Sequence, residues 1–364
     1  MAELVEEIFL RIPPDDPAAF VRASFVCKSW RRLLSDPAFG RRYRAFYRAP
    51  PLLGFLHQHH APSISIIPRF VPTVTPSPLP QRALDAAAGS VLDCRHGRVL
   101  FGHPVEGVNL VVWYPVTGEG EELPEPRIFL RANNAAVLCA VRGCDHLDCQ
   151  GGPFVVVVVG YGKGNKGMQS HLYSSEKDAW IASAELGPGF HIATRKPSVL
   201  IGDDIYFLLT PLYTILKYSF SKNFLSMIHS LAEHDVHGGI ALMPMEDGSL
   251  GLAGVLRSKE CSRLCLWSRN PDPEVVAGWV QFRVIDLEPM APIPFRYSSS
   301  VKVAGSAEGF SIIFVTTDVG VFTIELKSGH VKKVGTPGGC FTVFPFMSFC
   351  APGILLALCI PCLT

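Results

Sequence analysis

Apolar residues recur at helical spacing in one stretch only, residues 3–48. Leu4, Ile8 and Ile12 follow at four-residue steps and Val5 and Phe9 widen the stripe, which predicts a short helix with one greasy face. Pro13 and Pro14 end it. Asp16 then stands at an N-cap before Pro17, and Ala23, Val26/Cys27, Trp30 and Leu33/Leu34 continue the spacing, predicting a second, longer helix. Asp36-Pro37 repeats the cap and opens a third helix carrying Phe39, Tyr43 and Phe46/Tyr47 along one side. Three helices in about 45 residues hide too little of their own surface to bury all these groups, so the surplus apolar face requires a partner.

Beyond Arg48 the pattern reads as strands. Proline at 62, 68, 72, 76, 78 and 80 predicts an extended, irregular connector or edge segment, and His57, His59 and His60 before it read as solvated turn residues. From about residue 85, hairpins with Asp/Gly turns recur at 92–100, 199–207, 246–252 and 307–314. Each is followed by an apolar-aromatic strand and a polar turn, as in Val111–Gly118, Ile215–Ser219, Leu264–Ser268 and Gly320–Ile324, with a further copy at His171–Ser175. The aromatic anchors Trp113, Tyr173, Tyr218, Trp267 and Phe322 are 60, 45, 49 and 55 residues apart. A period near 50 built from two hairpins is the pattern of four-stranded propeller blades, and the remaining chain has room for about six. Phe344–Phe349 reads as a closing strand, and the apolar tail Pro352–Cys362 either completes the ring or is a sticky end.

Two phrases in the helical stretch carry a family resemblance: Leu4-Val5-Glu6-Glu7-Ile8 with Arg11-Ile12-Pro13, then Val26-Cys27-Lys28-Ser29-Trp30-Arg31-Arg32-Leu33 with Asp36-Pro37. They resemble an F-box. That resemblance implies a three-helix module that docks on the Skp adaptor of a cullin-based (SCF) ubiquitin ligase, with Leu4, Ile8, Ile12, Pro13, Phe20, Val26 and Trp30 as adaptor contacts or their supporting core. An F-box usually opens with Leu-Pro where this chain has Met1-Ala2-Glu3, which leaves a degenerate member without adaptor binding as an alternative. Val112–Gly118 and Tyr173-Ser174-Ser175 resemble the F-box-associated, kelch-like propellers that plants carry, and Gly151-Gly152, Tyr173 and Trp180 match one kelch repeat. The expected organisation is α+β multidomain. A three-helix F-box occupies 1–48, a proline-rich linker with a first edge strand 49–84, and an all-β propeller-like domain of about six irregular blades 85–364. The expected role is substrate recognition for an SCF-type ligase, with a target protein on the propeller. A propeller enzyme or carbohydrate-binding protein with a helical appendage is the other reading.

Composition narrows the chemistry. The net charge is +1, and the eight Lys/Arg against one acid in residues 22–48 are interleaved with the helical stripe, as on a solvated face rather than a nucleic-acid patch. Eleven cysteines are too dilute for a disulfide framework, and the acidic N-terminus lacks a secretory pattern, so reduced thiols in cytoplasm or nucleus are expected. The apolar runs Phe154–Val159 and Ile354–Leu358 are far shorter than the roughly 20 residues a membrane crossing needs, so no membrane is expected. Gly162–Gly167 spells GxGxxG, but the residues after it read as a strand, which makes it a hairpin loop. Cys144, His146 and Cys149, with Cys139 before them, are legitimate zinc ligands, yet six contiguous residues rarely wrap a tetrahedron, so a loop with buried thiols is expected and no metal. No catalytic signature such as Gly-x-Ser-x-Gly or His-Glu-x-x-His is present; neither an enzyme nor a cofactor is expected.

Overall fold

In the computed structural model four short helices precede 24 strands among the described residues. The structure describes all residues except 1, 61–65, 76, 78–83, 85–88, 103–108, 116, 127–129, 163–166, 188–191, 194–195, 211–213, 230–238, 258–261, 270–277, 288–300, 310, 337–341 and 350–364. The tail 352–362, and with it the expectation that this tail closes the ring, lies outside the described residues.

The helices are α1 (Ala2–Leu10), α2 (Pro17–Ser24), α3 (Lys28–Leu34) and α4 (Pro37–Tyr47). Both Asp-Pro caps form. The Asp16 carboxylate accepts from the Ala19 amide at 3.1 Å and that of Asp36 from the Ala38 amide at 2.8 Å, with proline in the first turn each time. The long second helix expected over 17–34 is instead two. Phe25 closes α2 and Cys27 is extended, at φ −159° and ψ 163°. Ser24-Phe25-Val26-Cys27 is a run of poor helix formers, and the Ser24 hydroxyl donates to the Val21 carbonyl, so the backbone gains little from continuing. The kink turns Trp30 and Leu34 inward to Phe9, Phe20, Phe39 and Tyr43, the core of this helical head. Phe9 meets Trp30 edge-to-face at 5.1 Å, and Phe20 meets Tyr43 the same way at 5.1 Å. The Tyr43 and Tyr47 hydroxyls both donate to the Ile12 carbonyl, tying α4 to the end of α1.

The strands make six antiparallel sheets. The pair β1 (Leu52–His60) and β2 (Ile66–Pro72) joins the last strand, β24 (Val343–Met347), in the order β2-β1-β24. The blades between are β3 to β6 (Ser90–Arg95, Arg98–Gly102, Leu110–Tyr114, Glu119–Glu122) and β7 to β10 (Leu130–Cys139, Phe154–Gly162, Met168–Ser174, Ala179–Glu185). Next come β11 to β15 (Ile192–Ala193, Val199–Ile201, Asp204–Thr210, Ile215–Ser219, Phe224–Ile228). The last two are β16 to β19 (Ile240–Pro244, Leu250–Arg257, Ser262–Arg269, Trp279–Asp286) and β20 to β23 (Lys302–Ala307, Ile312–Thr317, Gly320–Glu325, Val331–Gly335). Innermost strands adjoin in a ring: β24 beside β3, β3 beside β7, β7 beside β11, β12 beside β16, β16 beside β20, and β20 beside β24. The fold is a six-bladed β-propeller closed by pairing the last strand, β24, with β1, whose other side carries β2.

That closure changes the reading of residues 49–84. β1 is the middle strand of the closing blade, with Leu53, Phe55 and Leu56 fully buried, and β2 is the blade's outer edge, where Pro68 and Pro72 are tolerated. His57, His59 and His60 lie in strand β1, paired on both sides at His57, not in a turn. The aromatic anchors occupy the third strand out from the axis in each of the other five blades. Tyr173 and Tyr218 each donate to a residue five positions on, Asp178 and Asn223, which turn the chain at φ 46°. The run Phe154–Val159 is apolar throughout because β8 is buried on both faces. Val155, Val157 and Val159 enter the core shared with the third blade, and Phe154, Val156 and Val158 the one shared with the first. Gly162 and Gly167 close the β8–β9 hairpin through an amide–carbonyl bond of 3.0 Å, so the GxGxxG string opens no helix.

Candidate functional site

Among the described residues, three places bring candidate functional groups together. The first is the outer face of the helical head. Leu4 (67% exposed) and Ile8 (61%) share a face of α1, and Val26 (62%), with Phe25 (59%) beside it, projects from the break between α2 and α3. Pro13 is exposed too; Ile12 and Trp30 are half-buried against the head's core, and Phe20 is wholly inside it. The seven residues expected to contact an adaptor thus divide into an outer set, Leu4, Ile8, Pro13 and Val26, and a supporting set, Ile12, Phe20 and Trp30. Phe25 escaped the sequence pattern because it falls off the helical stripe; its place beside Val26 is the signal that marks it.

The second place is the end of the propeller axis under α4. A cavity of about 340 Å³ opens there, bounded by Arg44 and Arg48, the turns at His96-Gly97 and Glu308-Gly309, residues 145–150 and the stretch after β24. Its floor is a buried ion cluster. Arg95 donates to Asp93 at 3.0 Å, to Glu308 at 2.9 Å and to the Ser198 carbonyl at 2.8 Å, so one guanidinium joins the first, third and fifth blades. Asp93 also accepts from the Val137 amide of the second blade at 2.9 Å. Burial pushes the Asp93 carboxyl up to about 6, with Arg95 opposing, since one cation is shared between two carboxylates. Burial works against the Arg95 cation as well, but Asp93 and Glu308 outweigh it and hold it above the ordinary arginine value. His96 is driven down to about 2, first by burial and then by Arg95, so it is neutral. Farther along, Lys196 donates to the Ile240 carbonyl at 2.5 Å and receives Asn134 on its own carbonyl; burial, then Lys302, pulls its amine down to about 8. Arg95 with Asp93, Glu308, Ser198 and Val137 ties blades together across the axis, which makes the cluster a clamp between them. Sequence gave no hint of it, because Arg95 and Glu308 are 213 positions apart.

The third place is the loop between β7 and β8. Gly143 at φ 68° and His146 at φ 58° turn the backbone left-handed twice. By this route the loop does bring Cys139, Cys144, His146 and Cys149 together, with all four ligand atoms within 4.8 Å of one another, where the spacing had argued against such wrapping. Burial, then the neighbouring Cys139 and Cys144, pushes the Cys149 thiol up to about 12. His146 stacks on His96 with ring centres 4.0 Å apart, Leu147 packs on the core of the head, and Asp148 pairs with Arg44 of α4. Among the described residues no helix is long and apolar enough to cross a membrane.

Residues 2–42 match the F-box domain family. The head is therefore an F-box domain, with the six-bladed propeller behind it. No curated protein matches the chain in sequence. Among solved structures the chain is similar to the WD40 domain of SCAP from fission yeast, at a TM-score of 0.38 and 13% identity, over 72% of this chain. The match spans 58% of that chain's length.

Proposed function

We propose that this chain, an F-box domain followed by a six-bladed propeller, is the substrate-recognition subunit of an SCF-type ubiquitin ligase. The head docks on a Skp-family adaptor, and through it a cullin, while the propeller holds the target protein. The observation that carries this reading is the division within the head. It has its own core in Phe9, Phe20, Leu34, Phe39 and Tyr43, yet leaves Leu4, Ile8, Phe25 and Val26 bare. Large apolar groups clustered in so short a segment indicate a protein partner. Ubiquitin transfer then takes place on other subunits, and this chain contributes position and effective concentration. The kelch-like spacing of Gly151-Gly152, Tyr173 and Trp180 supports a kelch-like, plant-type propeller; Tyr173 and Trp180 are in ring contact at 5.6 Å. The free thiols at Cys27, Cys94 and Cys265 support work in cytoplasm or nucleus.

The test is binding of the purified full chain to a recombinant Skp-family adaptor. Ile8→Asp places a charge where an apolar partner surface must be desolvated, and a loss of binding of at least about a hundredfold is expected while the fold is retained. Adaptor binding within about twofold of the parent by a folded Ile8→Asp chain overturns the proposal.

A further inference from the structure

We propose that Cys139, Cys144, His146 and Cys149 form a structural zinc site that fastens the F-box head to the propeller. In the first blade the hairpin between the two inner strands turns through His96-Gly97; at the same place in the second blade residues 140–153 intervene. The insertion brings three sulfurs and an imidazole to one point. Zinc–sulfur bonds of about 2.3 Å set the edges of a tetrahedron at roughly 3.8 Å. Cys149 Sγ and His146 Nδ1 are already 3.7 Å apart, and no pair of ligand atoms exceeds 4.8 Å, so closing the shell needs shifts of no more than about 1 Å. The His146 amide donates to Cys144 Sγ at 3.4 Å, an orientation that suits a thiolate.

A second observation points independently to an anion here. Arg98 is completely buried and donates to the carbonyls of Cys149 and Gly152, the far side of the same loop. Its guanidinium lies over the rings of Phe154 and Tyr114, at 5.6 and 5.9 Å, close enough to favour the Tyr114 phenolate, and among the described residues its Nε and Nη1 have no partner in hydrogen-bond geometry. Among the described residues no carboxylate forms an ion pair with it. A buried cation without a counter-charge is costly. Zinc bound by three thiolates and one neutral imidazole carries a net charge of −1, the complement of Arg98. On binding, Zn²⁺ displaces three thiol protons to solvent and nothing is oxidised or reduced. Three sulfurs and one nitrogen in tetrahedral array select zinc over harder ions. With four protein ligands no coordination position is open, so the site is structural. What it holds is the loop carrying Leu147 to the head's core and Asp148 to Arg44.

The test uses the full chain purified without chelators. Metal analysis is expected to give about one zinc per chain, and cobalt substitution to give the visible d–d bands of a tetrahedral site with thiolate-to-cobalt charge transfer. Cys144→Ser is expected to lose the metal and to lower the melting temperature. His146→Cys keeps four ligands and is expected to retain cobalt with stronger charge transfer, which marks position 146 as a ligand even where the serine variant fails to fold. A parent chain that neither carries zinc nor develops the cobalt spectrum overturns the proposal. So does a folded Cys144→Ser chain with undiminished metal, or a His146→Cys spectrum identical to the parent's.

Discussion

Arg95→Met removes the cation that joins three blades, while keeping the length and much of the apolar bulk of the side chain. Arg95 and Asp93 are both almost wholly buried, so the carboxylate left behind cannot recover its hydration. Breaking one partner of such a pair costs about 3–5 kcal/mol. The Ser198 carbonyl, which accepts from Arg95 at 2.8 Å, is left short of a donor at about 1 kcal/mol more. Glu308 is partly exposed and turns to water, so its loss adds little. A total near 5 kcal/mol corresponds to a fall in melting temperature of roughly 10–20 °C for a domain of this size. The assay is thermal unfolding of the full chain at pH 7, followed by circular dichroism. In the double variant Arg95→Met/Asp93→Asn the stranded charge is gone, and at least about half the loss is expected to return. An Arg95→Met chain melting within about 2 °C of the parent, or a double variant as unstable as the sum of the singles, would refute the clamp.

Asp93 alone predicts a pH dependence. Its carboxyl is raised to about 6 in the folded chain, so the folded state holds the proton more tightly than the unfolded one. The stability this contributes is complete below the ordinary aspartate value and is lost as pH rises through about 6, by up to about 3 kcal/mol. Subtracting the stability–pH curve of Asp93→Asn should expose that fall; parallel curves from pH 4 to 7 would count against it. Phe20→Ala, at a site 2% exposed among Phe39 and Tyr43, should cost about 3–5 kcal/mol and melt the head, whereas Ile8→Asp should leave the helical circular dichroism unchanged. Equal losses from the two would show that the head does not separate core from outer face. Gly305→Ala would set a Cβ 2.6 Å from the Val343 carbonyl, where the fifth blade meets the closing one, and should lower the melting temperature of the propeller; an unchanged melt would mean that the closing strand moves aside freely.

How far the sequence reached follows from the range of each interaction. The Asp16-Pro17 and Asp36-Pro37 caps, the greasy stripe of α1, the Asp/Gly hairpins and the third-strand aromatics were all legible, because each depends on neighbours within a few positions or on a repeated period. The break at residues 25–27 was not, since the stripe runs through it and the weak local bias against helix at Ser24–Cys27 becomes decisive only when Trp30 and Leu34 pack against Phe9 and Phe39. His57 and its neighbours looked like turn residues beside prolines, and became a strand because Val343–Met347 supplies its partner from the other end of the chain. Phe344–Phe349 read as a closing strand, but the tertiary structure alone decided that β1 is its partner, and it alone decided the Arg95 clamp and the meeting of Cys139 with Cys149. Each depends on a blade or loop being carried around the axis to residues whose positions no local pattern encodes.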